Sequence, residues 1–327
     1  MILTLIEHDR GKLNELSLEA LTFGHRLARQ LGQPLETVLI GAEAQPLAER
    51  LGAYGASTVH LAVHDRLTDY APEAWAQSVV SLMESLSPAA VLAAGSDRGA
   101  ELMAHVAARA GLPLAANVIE VVPGAAGEPY TVTRLRWGGS LLEDAHLHGA
   151  IKLFTVAPHA LFGEPVPGAG PAAVQTFTPA LADKDFRVCV TGRIEADASK
   201  VSLAEAPVVI GGGRGVGSAE GFAVLEELAQ LLSGAVGCSR AVTSLGWRPH
   251  LDQIGQTGTR IAPEIYIACG VSGAIQHMVG CKAAKRLLAI NIDPDAPIVA
   301  KADYAIIGDL HAVVPALSEA VRKARRQ

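Results

Sequence analysis

Apolar and polar positions along the first third of this chain fall into two kinds of block. Residues 2–6 are a short run of Ile, Leu and Thr, whereas residues 16–31 return an apolar side chain every three or four positions. The first pattern predicts a buried strand and the second an amphipathic helix. Residues 37–40, 58–63 and 90–94 repeat the strand pattern, and residues 47–51, 75–86 and 102–110 the helical one. Strands alternating with helices predict βαβ units and a parallel sheet. From residue 117 the pattern changes, and residues 118–122, 130–136 and 151–157 read as consecutive strands with no clear helix between them.

A stretch rich in Pro, Gly and Ala at residues 159–179 then reads as a linker. Residues 186–194 read as one more strand, and residues 197–207 as a second, more polar stretch. The domain boundary is expected between the two stretches. It divides the chain into an N-terminal domain, residues 1–190, and a C-terminal domain, residues 191–327. The second domain restarts the alternation. Strands are predicted at 206–210, 264–271, 287–292 and 304–307, and helices at 219–232, 272–285 and 312–326. The fold class is therefore α/β, with two domains, each a mainly parallel sheet flanked by helices.

Composition sharpens this picture. Of 327 residues, half are hydrophobic but only 4% are aromatic, and 33 are Gly, so Ala, Val, Leu and Ile must form the core. That suits parallel strands buried on both faces. A formal net charge of −6 argues against a general nucleic-acid binder. No apolar run reaches the ~18 residues of a spanning helix, and the first residues lack the basic start of a signal peptide. A cytoplasmic location is expected. The four cysteines, Cys189, Cys238, Cys269 and Cys281, have no C-x-x-C spacing, so no metal site is expected and reduced, inert thiols are.

The polar chemistry collects where predicted strands end. Residues 211–218, Gly-Gly-Gly-Arg-Gly-Val-Gly-Ser, follow a strand and open a helix. Such a loop can present backbone N–H groups to an anion, or can simply be a tight strand–helix turn. Lys is absent where a P-loop needs it, and the G-x-G-x-x-G spacing is not met. Arg214 inside the loop could bind a phosphate or an anionic ring. Ser239 is a plausible N-cap. Arg240 beside it puts a cation at a helix start, where an anionic partner is expected. The loop 255–258 offers Gln256, Thr257 and Gly258. Ser272, Gly273, Gln276 and His277 follow the next strand, with Ser272 as the expected helix cap. Asn291 and Asp309 end the last two strands. Their residue types are equally those of ordinary turns, and His277 equally those of a satisfied core histidine. In open α/β sheets, ligands bind at these carboxyl ends. No nucleophile–base pair is evident, and the G-x-S-x-G elbow is missing.

The segments Gly212-Gly-Arg-Gly215, Cys238-Ser-Arg-Ala241, Ile254-Gly-Gln-Thr-Gly258, Ala262-Pro-Glu-Ile-Tyr266, Ser272-Gly-Ala-Ile-Gln-His277, Ala289-Ile-Asn291 and Asp293-Pro-Asp-Ala-Pro297 resemble, in order and spacing, the electron transfer flavoprotein alpha subunit. The first half is similar to that family more loosely, through Ile6-Glu-His8 and the α/β alternation. The resemblance implies a heterodimer with a beta subunit, contacted by the N-terminal domain. It implies one FAD held mainly by the C-terminal domain, whose fold would resemble the FAD domain of thiamine-diphosphate oxidases. AMP or a second FAD would belong to the partner subunit.

The same resemblance implies the site residues. Arg214 would lie near the diphosphate and ring region, and Ser239 and Arg240 would face the isoalloxazine. Gln253, Gln256, Thr257 and Gly258 would contact the cofactor, with the Thr257 hydroxyl near flavin N5. Ser272, Gly273, Gln276 and His277 would reach the ribityl chain, the phosphates and the O2 edge of the ring. Asn291 and Asp309 would hold the adenosine end. Cys238 departs from the smaller residue found there in many members. The implied role is electron carriage rather than enzymatic turnover. Electrons would come from acyl-CoA or other flavin dehydrogenases, as in fatty acid oxidation, and pass to a quinone oxidoreductase. A bifurcating variant, a self-contained flavin oxidoreductase and a colourless nucleotide-binding module are the alternatives.

Overall fold

The computed structural model describes residues 1–125, 127–192 and 202–325. The chain divides into two compact units, Met1–Arg193 and Ile194–Gln327.

In the first unit, β1 (Ile2–Leu5) leads through a small hairpin, β2 (His8–Asp9) and β3 (Lys12–Leu13), into α1 (Leu16–Leu31). There follow β4 (Leu35–Ile40), α2 (Ala48–Gly52), β5 (Thr58–Ala62), α3 (Pro72–Leu86), β6 (Ala90–Ala94) and α4 (Asp97–Ala110). Then come β7 (Leu114–Val122), β8 (Tyr130–Arg136), β9 (Leu141–Leu147), β10 (Lys152–Val156) and β11 (Ala173–Phe177). The sheet order is β11-β5-β4-β1-β6-β10-β7-β8-β9. Pairing is parallel as far as β7, and antiparallel from β7 to β8 and from β8 to β9.

Successive side chains of β1 serve opposite faces. Ile2 and Ile6 pack with Leu21, Leu27 and Phe154 beneath α1, and Leu3 and Leu5 with Trp75, Val79 and Leu102 beneath α3 and α4. That is why β1 reads as a continuous apolar run. At the start of α4 the Ser96 hydroxyl accepts from the Gly99 N–H at 2.9 Å, a standard cap.

Three expectations fail in this unit. The Pro- and Gly-rich stretch is no free linker, because its residues 173–177 form β11 and pair in parallel with β5. A second strand, β9, pairs along its full length with β8 although its sequence, Leu-Leu-Glu-Asp-Ala-His-Leu, alternates poorly. No strand forms at 186–192, and residues 193–194 lie outside the described residues. Side-chain bonds hold that segment instead. Asp185 accepts from the Ala182 N–H at 2.9 Å and pairs with Arg109 at 2.8 Å. Arg187 reaches Glu73 at 2.7 Å, and Arg66 stacks 3.8 Å from the Phe186 ring.

The second unit contains β12 (Val208–Gly212), α5 (Ala223–Leu231), β13 (Ala235–Cys238), α6 (Arg240–Ser244), β14 (Ile265–Cys269), α7 (Ile275–Cys281), β15 (Leu287–Asn291), β16 (Tyr304–Ile307) and α8 (Leu310–Ala324). Its sheet is wholly parallel, in the order β13-β12-β14-β15-β16. One face packs Ile267, Cys269 and Ile290 against Phe222, Leu225, Leu228 and Val314 of the α5–α8 layer. The other packs Tyr266 and Ala268 against Ile254, Ile261, Cys281 and Ile298. Two helices are shorter than periodicity predicts. A 3-10 turn at Glu220–Phe222 precedes α5. Helix α7 starts at Ile275 with Ala274 in the cap position, so Ser272 does not cap it. No helix among the described residues is long and apolar enough to cross a membrane.

Candidate functional site

In chain order the second sheet runs second, first, third, fourth, fifth. The direction of winding therefore reverses between β12 and β14, and the crevice outside the carboxyl ends of those strands is the expected ligand position. The loops that leave β12, β13, β14, β15 and β16 all emerge at that edge. They carry Arg214, Ser239 and Arg240, Ser272 to His277, Asn291, and Asp309 respectively.

At the reversal point the glycines are required by contact. The Gly213 N–H donates to the Cys269 carbonyl at 2.8 Å and the Gly215 N–H to the Gly270 carbonyl at 3.1 Å. A Cβ on Gly213 would lie 2.1 Å from the Gly270 oxygen. The loop after β12 is thus laid directly on the loop after β14, and Arg214 projects from it, exposed. His311 of α8 fixes the far side of the same loop, its Nε2 lying 3.1 Å from the Val216 carbonyl.

Ser239 occupies the cap position of α6, yet its hydroxyl makes no capping bond. Arg240 is exposed and has no acidic partner among the described residues. Cys238, the last residue of β13, is fully buried in the Phe222–Val242 cluster. Burial first, and Asp252 second, push its thiol up to about 12, which keeps it protonated. Burial does the same to Cys269 and Cys281.

The loop 253–259 is folded on itself and on α7. Thr259 N–H donates to the Gln253 carbonyl at 2.7 Å, and Gln256 N–H to the Gln276 carbonyl at 2.8 Å. Gly258 is needed because its Cβ would sit 2.2 Å from the Gln253 oxygen. Gln256, Thr257, Ser272 and Gln276 are exposed, while Gly273, at φ +83°, lies tight against Ile298.

Three polar residues at this edge are buried and held by protein partners. Gln253 bonds Thr243 and Thr257. Asn291 donates from Nδ2 to the Val271 carbonyl at 2.9 Å and accepts from the Asp293 N–H at 3.1 Å, strapping the loop after β15 to the loop after β14. His277 Nε2 lies 2.8 Å from the buried Tyr266 hydroxyl. Burial pulls His277 down to about 4, against a weaker upward influence of the Ile254 carbonyl. It is therefore neutral at pH 7. Thr243, Tyr266 and His311 were not legible as site residues. Each acts on a loop distant in sequence, and only Thr243, three positions after Arg240 in one short helix, carries a local signal.

Charge is divided along the edge. The Arg214 and Arg240 guanidiniums, without acidic partners among the described residues, stand at the β12–β13 side, and the Asp293 and Asp309 carboxylates at the β15–β16 side. Asp309 caps α8 through one oxygen, accepting from the His311 N–H at 2.9 Å. Cations suit a diphosphate, and carboxylates suit ribose hydroxyls. The Ser239 hydroxyl, which makes no capping bond, and the exposed Gln256, Thr257 and Gln276 add further polar groups. The residue set therefore fits a dinucleotide such as FAD.

Comparison with known proteins agrees. Residues 2–182 match the family described as "Electron transfer flavoprotein domain", and residues 202–282 the one described as "Electron transfer flavoprotein FAD-binding domain". The chain is 40% identical over 326 residues to the electron transfer flavoprotein subunit alpha of Mycobacterium tuberculosis H37Rv, covering 99% of each protein. It is 38% identical to the subunit alpha of Mycobacterium leprae, covering 99% of this chain and 98% of the relative. It is 34% identical to that of Bacillus subtilis, covering 97% of this chain and 96% of the relative.

Proposed function

Because this chain belongs to the electron transfer flavoprotein alpha-subunit family, we propose that it is the FAD-holding half of a heterodimeric electron carrier. It accepts electrons from flavin dehydrogenases, including acyl-CoA dehydrogenases, and passes them to a quinone-linked acceptor in the cytoplasmic compartment. FAD, when bound, supplies reversible uptake of electrons. The observation that carries the reading is the carboxyl edge of the second unit, where Arg214 and Arg240 stand exposed, without acidic partners among the described residues, beside the reversal point of the sheet.

In this reading Arg214 holds the diphosphate, and Ser239, Arg240 and Thr257 face the ring. Gln256, Gly258, Ser272, Gly273 and Gln276 line the chain between ring and phosphates. Asp309 and the loop strapped by Asn291 receive the adenosine. His277 contributes a neutral imidazole at the ring's edge rather than a cation, since it is unprotonated at pH 7.

A self-contained oxidoreductase would need a base within reach of the cofactor. His277, the nearest candidate, already faces the Tyr266 hydroxyl. The sheet of the first unit has a reversal point too. Its winding reverses between β1 and β6, but there the buried Glu7 carboxylate accepts from Ser96 Oγ and from Asn14 Nδ2, so the start of α4 already faces an anion of the chain's own. That unit instead presents Trp137, Leu141 and Leu142, all more than half exposed, at the tip of the β8–β9 hairpin. This apolar tip is the contact offered to the beta subunit.

Arg240 is the residue whose charge bears most on electron uptake. A cation about 4 Å from developing negative charge contributes up to about 4 kcal/mol at an effective dielectric of ~20, less where water screens it. A one-electron couple moves about 59 mV per tenfold change in equilibrium constant. Arg240→Ala is therefore expected to lower the potential of bound FAD by on the order of 100 mV, with Arg240→Lys losing less. Spectroelectrochemical titration checks this, and an unchanged potential would remove Arg240 from the ring.

The reading as a whole is tested by counting flavins. The full chain, co-purified with its beta subunit, should carry about one FAD of its own. A second FAD per heterodimer would favour the bifurcating form, and a colourless protein a nucleotide-binding module.

A further inference from the structure

Gln253 lies between two of the loops at the carboxyl edge and is only 1% exposed. Its Oε1 accepts from the Thr243 hydroxyl at 2.8 Å, and its Nε2 donates to Thr257 Oγ1 at 3.0 Å. Thr243 belongs to α6, the helix that begins with Arg240, and its hydroxyl also lies 3.0 Å from the Arg240 carbonyl. The backbone of Gln253 is equally fixed. It bridges to Cys238 at the end of β13, and the following Ile254 N–H donates to the Cys238 carbonyl at 2.8 Å. The side chain thus ties the helix carrying Arg240 to the loop carrying Thr257.

A carboxamide is not symmetric: its oxygen only accepts and its nitrogen only donates. With Oε1 turned to Thr243, the amide N–H fills one lone pair of Thr257 Oγ1. Gln253 is the one protein partner of the Thr257 hydroxyl among the described residues. Thr257 is exposed, in the loop that Gln253 ties to the carboxyl end of β13. We propose that Gln253 is a positioning residue that does not touch the cofactor but holds the Thr257 hydroxyl in place beside it. The proposal rests on the reading that Thr257 faces FAD. A hydroxyl held in place favours added electron density on the atom to which it donates, whereas a freely rotating one meets that atom only part of the time.

The test is a double-mutant cycle read on the FAD-loaded heterodimer by the one-electron midpoint potential and the visible flavin band. Thr257→Val removes the hydroxyl at constant shape. It is expected to lower the potential by the equivalent of about a tenfold loss, ~59 mV, and Thr257→Ser to restore it. Gln253→Met removes both amide bonds without adding charge. It is expected to produce part of the same shift, about threefold or ~30 mV, and no further shift in the Thr257→Val background. An unchanged potential in Gln253→Met, or an equal additional shift in the Thr257→Val background, overturns the proposal while leaving the cofactor reading intact. An unchanged potential in Thr257→Val overturns both. If Gln253→Met does not fold, Thr243→Val, which frees Oε1, carries the test. A shift in the same direction supports the proposal, and a wild-type potential refutes it.

Discussion

Gly213→Ala is expected to destabilise the second unit by about 3 kcal/mol or more and to abolish retention of FAD through purification. The added methyl would meet the Gly270 carbonyl oxygen at 2.1 Å, well inside contact distance. Both partners are backbone, so no side-chain rotation relieves the overlap, and the two loops must separate. Overpacking of this kind costs typically 1–3 kcal/mol and occasionally more. Separation also breaks the Gly213–Cys269 and Gly215–Gly270 backbone bonds, each contributing about 1 kcal/mol. Because those loops flank the reversal point, the same movement displaces Arg214. Gly217→Ala is the control. Gly217 has φ +87° and ψ −37° and no atom within 4 Å of its would-be Cβ, so only the unfavourable backbone conformation is penalised, at about 1–3 kcal/mol. Urea unfolding with the flavin absorbance of the purified proteins measures both effects. Equal stability and equal FAD content in the two variants would contradict the contact argument.

Acidification from pH 7 to pH 4 is expected to cost the protein about 3 kcal/mol through His277 alone. Burial holds the folded imidazole down to about 4, whereas the unfolded chain protonates near the ordinary value of about 6.5. Between those values the unfolded state binds the extra proton, so stability falls as pH falls and levels off below about 4. The difference of roughly 2.5 pH units corresponds to about 3 kcal/mol at 1.36 kcal/mol per unit. His8 is also lowered by burial and adds a slope of the same sign in the first unit. His277→Gln isolates the contribution, since the amide still faces the Tyr266 hydroxyl but does not titrate. Its unfolding free energy should be flatter than wild type by that amount between pH 6.5 and pH 4. Parallel pH profiles would mean that His277 is not the buried neutral residue described.

Much of the fold was legible because burial on both faces writes itself into sequence. Strands β1, β6, β12 and β15 are continuous apolar runs, and α1 has a clear apolar stripe. Strand β11 was not legible, because an exposed edge strand needs no apolar face and its neighbours are Pro and Gly. Residues 186–192 misled for the opposite reason. Phe186 and Val188 look strand-like, but Asp183, Asp185 and Arg187 find partners on α3, α4 and Arg66 that local pattern does not reveal. At the site, the residue types and their order along the strand ends were readable. Their division into exposed groups and internal braces was not. Gln253, Asn291 and His277 are braces because of Thr243, Val271 and Tyr266, which lie 10 to 20 residues away and reach them only through the parallel sheet. The glycine loop was readable as special, but not as a contact between two backbones.

The most direct measurement of the central claim is the FAD content of the full chain, from its visible absorption after co-purification with the beta subunit. Wild type should carry about one FAD per alpha chain, and a variant lacking both guanidiniums, Arg214→Ala with Arg240→Ala, should lose most of it while its unfolding midpoint in the absence of FAD stays unchanged. A wild-type protein that stays colourless when FAD is supplied, or a double variant that keeps its full complement, would contradict the assignment of the carboxyl edge of the second unit as the flavin site.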